Sequence, residues 1–118
     1  MSFQAGDFLI FQIESGFGLM RILAIDEAEN GEHIWHLEAF NELFLDSEMA
    51  DTALENPAGL SIGNPHFVIT QRAFEATQVA RMSNQPLTEQ EKQIVENWRL
   101  SVDPQVSDIS VRLLLGLR

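Results

Sequence analysis

The chain has 118 residues, 45% apolar and 21% charged, which suits one domain with its own core and argues against wholesale disorder. It has no cysteine, which excludes disulfides, thiolate metal sites and a cysteine nucleophile. Seven Lys and Arg against 18 Asp and Glu give a net charge of −11, a field that repels phosphate backbones and anionic lipid surfaces.

In chain order, Phe8-Leu9-Ile10-Phe11-Gln12-Ile13 is aromatic and branched and reads as a strand with apolar residues on both faces. Ser15-Gly16-Phe17-Gly18 reads as a turn, and Leu19 to Ile25 closes a hairpin. Asn30-Gly31 marks the next turn, and residues 33–40 form a third strand of an antiparallel meander. Glu48 to Leu54 predicts a short helix with Ser47 as N-cap, stopped by Asn56-Pro57-Ala58-Gly59. Gly63-Asn64-Pro65 predicts a break, and residues 66–69 a fourth strand. Thr70 is the expected N-cap of a helix from Gln71 to about Met82. Thr88-Glu89-Gln90-Glu91 fits the capping box of a helix running to about Arg99, with Ile94, Val95 and Trp98 as its buried stripe. Val106 to Leu117 fits both periods; the reading taken is a short helix capped by Ser107. The expected fold is α+β, a single domain over residues 1–118, with an N-terminal antiparallel meander followed by a helical C-terminal half.

The charge is unevenly placed. Residues 22–71 hold ten acids and no Lys or Arg, whereas residues 72–118 are neutral overall. An acidic segment of this kind either keeps the protein soluble or steers a basic partner. Phe17, between glycines, and Phe44, after Glu42-Leu43, are expected to be exposed. An exposed aromatic rimmed by acids suits a basic partner.

Candidates for chemistry are few. Gly-x-Ser-x-Gly, the Walker loop and Gly-x-Gly-x-x-Gly are all absent, so no catalytic residue is assigned. His33 and His36 should point to opposite faces of their strand, and His66 could approach either. A metal site or acid–base site built from His33, His36 or His66 with nearby carboxylates is the alternative reading. No other cofactor is implied. No apolar run approaches the roughly 18 residues of a membrane span. The N-terminus has neither a basic nor an apolar leader region, so a cytoplasmic location is expected.

Gly6-Asp7 followed by two hairpin strands resembles the opening of a small SH3-like barrel. Together with the acidity, it resembles bacterial immunity proteins, some of which cover the nucleic-acid site of a basic nuclease toxin. That resemblance implies a non-enzymatic module that docks a basic protein. Glu38, Glu42, Asp46 and Glu48 are the expected contacts, with Phe44 as the apolar anchor. The neutral C-terminal half is the surface on which a homo-oligomer would form.

Overall fold

The computed structural model describes residues 2–117. Five strands, β1 (Asp7–Ile13), β2 (Gly16–Glu27), β3 (His33–Phe44), β4 (Ile62–Thr70) and β5 (Val79–Asn84), form one antiparallel sheet in the order β4-β3-β2-β1-β5. The helices are α1 (Ser47–Ala53), α2 (Gln71–Glu75), α3 (Glu89–Arg99) and α4 (Val111–Leu114), with a 3-10 turn at Pro57–Gly59. The protein is therefore α+β. None of its helices is long and apolar enough to cross a membrane among the described residues.

Alternation along the strands builds two apolar layers. Leu9, Phe11, Met20, Ile22, Trp35, Leu37, Phe67 and Ile69 face one layer, which Ala73 and Phe74 of α2 and Val111 of α4 complete. Trp35 and Phe74 stack at 3.7 Å with 4° between their planes. Phe8, Ile10, Leu19 and Phe44 face the other layer with Ala50 of α1 and Leu54. Arg21, His36, Glu38 and Val68 lie buried on the rest of that second face, on the side where α3 docks.

Three expectations are corrected. The sheet is open: β4 and β5 are its two edges, and the helices alternate with strands instead of following them. The helix from Gln71 stops at Glu75, and residues 79–84 pair with β1 as its outer neighbour. β1 is buried on both faces, so its second edge needs backbone partners, which an extended segment supplies and a helix does not. The C-terminal helix spans only Val111–Leu114, and its N-cap is Ser110. Ser107 bridges to β4 instead, with its N–H donating to Val68 O at 2.8 Å and its carbonyl accepting from Thr70 N–H at 3.0 Å.

Smaller shifts follow the same logic. The Gly63-Asn64-Pro65 segment lies inside β4, on the sheet edge where a proline is tolerated. Asp46, not Ser47, caps α1, its carboxylate accepting from Met49 N–H at 2.9 Å. Thr70 caps α2, and Thr88 with Glu91 forms the capping box of α3.

Candidate functional site

The expected contact residues divide. Glu38 is 3% exposed and lies beneath α3, where no docked protein could touch it. Phe44 is buried in the second apolar layer, because β3 extends to it and its parity turns the ring inward. Phe17 also packs, partly buried, against that layer. Glu42 stays at the surface and accepts from the Ser61 N–H at 2.8 Å and the Ser61 hydroxyl at 2.7 Å. These bonds hold its carboxyl below the usual range. Asp46 and Glu48 are exposed at the start of α1.

The apolar side chains that do face solvent here are Leu43, Leu45, Met49 and Ile62. Leu45 is 76% exposed. The strand period carried part of this signal, because Leu43 must point opposite to Phe44 once both are in β3. Leu43 thus faces away from α1, toward Leu114 and Leu115, whereas Leu45 and Met49 lie in a stretch of chain where Asp46, Glu48, Asp51 and Glu55 are all exposed. Residues 45–55 thus carry two exposed apolar side chains and four exposed carboxylates at neighbouring positions.

The histidines form a separate constellation. His33 is exposed, with its ring edge-on to Trp35. His36 is fully buried on the opposite face of β3, and its cross-strand partner on β4 is Val68. His66 lies on that same face, and its Nε2 is 2.9 Å from His36 Nδ1. His36 Nε2 is 2.9 Å from Asp26 Oδ2. Arg99, at the end of α3, grips Asp26 through Nη2 at 2.5 Å and Nε at 3.1 Å. Trp98 stands edge-on to His36, 4.7 Å between ring centres.

This row has a defined proton order. Burial pushes the Asp26 carboxyl up, but the hydrogen bonds and charges of Arg99 and His36 outweigh it and hold the acid ionised. An ionised Asp26 only accepts, so His36 donates from Nε2 and its Nδ1 is a lone pair. His66 must then donate from its own Nε2, which leaves His66 Nδ1 as a lone pair. Burial lowers the His36 imidazole more than Asp26 raises it. Burial, and then the nearby His36, push His66 down to about 4. Both rings are neutral at pH 7.

His36 and His66 therefore come together with the Asp26 carboxylate, while His33 stands apart on the other face of β3. Both nitrogens of His36 are engaged, and the row is linear. Among the described residues no group of three or more His, Asp or Glu is placed to hold a metal ion. Asp26 and Arg99 were missed by sequence reasoning, because 73 residues separate them and only the docking of α3 brings them together.

The second polar cluster under α3 is built by register. Phe8, Arg21 and Glu38 are cross-strand neighbours on β1, β2 and β3. The Arg21 guanidinium sits over the Phe8 ring at 4.9 Å. It donates to Glu91 Oε2 at 2.6 Å and to the Gln85 carbonyl at 2.6 Å, and it lies 3.8 Å from Glu38. Burial, then the hydrogen bond and charge of Glu91, push the Glu38 carboxyl up to about 7. Glu91 moves the other way. Burial raises it, but the Thr88 N–H, Glu38 and Arg21 together hold it ionised. This cluster ties α3 to the sheet, and within it Arg21 Nε is buried without a hydrogen-bond partner among the described residues. No protein-family model, curated protein or solved structure matches the chain.

Proposed function

We propose that the protein is a non-enzymatic interaction module, cytoplasmic, that docks a basic protein partner on the surface formed by the end of β3 and α1. One observation carries this reading: exposed Leu45 and Met49 lie among Asp46, Glu48, Asp51 and Glu55, in a 50-residue segment without a single Lys or Arg. Apolar side chains at the centre would supply the desolvated contact, and the surrounding carboxylates would steer a cationic surface toward it. Glu42, Asp46 and Glu48 keep the contact role expected of them. Leu45 replaces Phe44 as the apolar anchor, and Glu38 drops out. The resemblance of the N-terminal hairpin to an SH3-like barrel opening, and of the whole to acidic immunity-type proteins, supports the same reading. A copy of the chain is a poor partner for this surface, because like charges would face each other.

The test is a pull-down from source-cell lysate washed with rising salt, followed by binding kinetics on the captured protein. A basic protein is expected to elute at moderate salt. Asp46→Lys with Glu48→Lys should slow its association at low ionic strength about tenfold and flatten the salt dependence. Leu45→Ser should speed dissociation. Recovery of the bait alone, or rates unchanged by the charge reversal, would reject the docking surface.

A further inference from the structure

The row Arg99–Asp26–His36–His66 ends at a nitrogen with nothing attached. His66 Nε2 is committed to His36, and Nδ1 has no partner among the described residues. His66 lines an open groove of about 550 Å³ between β4, α3 and residues 101–107, within the range that small-molecule sites occupy.

The groove is walled by apolar groups. Phe67, Val68, Ile94, Trp98 and Leu114 contribute to its lining. Several of its polar groups are occupied. The Trp98 indole N–H donates to the Gln105 carbonyl at 3.1 Å, which holds the 103–105 segment as a wall. The Asp103 carboxylate accepts from Gln105 Nε2 at 2.8 Å. The Ser101 hydroxyl donates to the Trp98 carbonyl at 2.7 Å. Asn97 Oδ1 accepts from Gln93 Nε2 at 2.9 Å. His66, half-buried, lines this groove with its Nδ1 uncommitted, and a hydrogen bond made there beside apolar groups gains from exclusion of water.

The charges nearby select against ions. Among the described residues no Lys or Arg lines the groove, and Arg99 at the end of α3 is neutralised by Asp26, so an anionic ligand finds no counter-charge. Asp103 and the net charge of −11 oppose it further. A cationic ligand would be attracted by Asp103, whose charge the Gln105 hydrogen bond does not cancel, but it would lose its hydration against the apolar wall. A neutral donor on an apolar ring meets neither penalty.

We propose that this groove is a binding site for a small neutral aromatic alcohol, whose hydroxyl donates to His66 Nδ1 while its ring lies along the apolar wall. Asp26 and His36 are positioning residues: they fix the His66 tautomer that leaves Nδ1 open. The site lies on the α3 side of β4 and is independent of the α1 surface proposed above for a protein partner.

Phenol and anisole are the probes, because they share a ring and differ in the donor. In NMR titrations of the full chain at pH 7, phenol should bind about fivefold more tightly than anisole, as one added hydrogen bond implies. It should also move the ¹⁵N signal of His66 Nδ1. His66→Phe should abolish the preference while the ring-binding groove remains. The ¹⁵N spectrum of the unliganded protein provides a check that needs no variant: His66 should be the Nε2–H tautomer. Equal affinities for the two probes, no binding of either, or a His66 proton on Nδ1 would each overturn the proposal.

Discussion

Arg21 Nη1 donates to Glu91 Oε2 at 2.6 Å while Glu91 Oε1 accepts from the Thr88 N–H at 2.9 Å, so one side chain both caps α3 and docks it. The capping box is a local device. The ion pair is not, for it spans 70 residues. Removing either partner leaves a charge in a poorly solvated place. Glu91→Ala should therefore destabilise the protein by about 2–3 kcal/mol, from the broken pair and the lost cap together. Glu91→Gln should lose less than half of that. Glutamine still closes the box, and Glu38, 3.8 Å from Arg21, can ionise in its place. Urea unfolding of the two variants checks the ranking.

Glu38 holds its proton in the folded state up to about pH 7 but only to its ordinary value of 4.5 when unfolded. The folded chain thus binds an extra proton between these limits. The contribution is full below pH 4.5 and is lost as pH rises through 7. Glu38→Gln mimics the protonated acid and should remove this loss. Thermal melts from pH 4.5 to 8 should show the variant gaining on the parent as pH rises.

His66 has the opposite sign. Its folded-state value of about 4 lies below the ordinary 6.5, so the unfolded chain binds the extra proton. Stability from this source is full above pH 6.5 and is lost as pH falls toward 4. Between pH 4.5 and 6.5 the two groups oppose each other, which flattens the profile of the parent protein. His36, also lowered by burial, has the same sign as His66. His66→Gln should therefore weaken this opposition without removing it, and the variant should lose more stability than the parent as pH rises from 4.5 to 7. Loss of the His36 hydrogen bond would lower that whole curve by about 1 kcal/mol.

Gly18 faces Phe11 across the β1–β2 pair, and the Phe11 ring occupies the space a side chain would need. Gly18→Ala should destabilise by about 1–3 kcal/mol through overpacking. Gly31 is the control. Its φ of +86° is the turn conformation, and nothing lies within 4 Å of an added Cβ. Gly31→Ala should cost about 1 kcal/mol, from backbone strain alone. Chemical denaturation distinguishes the two sizes, and only Gly18→Ala should disturb the Phe11 ring signals.

Most of the local devices were legible. The hairpin strands, the Asn30-Gly31 turn, the Thr70 cap and the capping box at Thr88 each depend on residues a few positions apart, and the structure has all four. Val79 to Asn84 was not legible as a strand, because the reason it is extended lies in β1, seventy residues earlier. The burial of Phe44 turned on whether β3 ended at residue 40 or 44. A strand end is weakly marked in the chain, and α1 packing beneath it decided the matter.

The amino-acid sequence by itself determined the acidity of residues 22–71, the absence of cysteine chemistry, the opposite facing of His33 and His36, and the start of α3. Each of these follows from composition or from a period of two to four residues. Only the tertiary structure decided that Glu38 is buried beside Arg21, that Leu45 faces solvent, and that Asp26, His36, His66 and Arg99 form one row. The buried pair and the row join β2, β3, β4 and α3, and they exist because sheet register and helix docking place distant side chains within hydrogen-bonding range. No short-range rule encodes that distance.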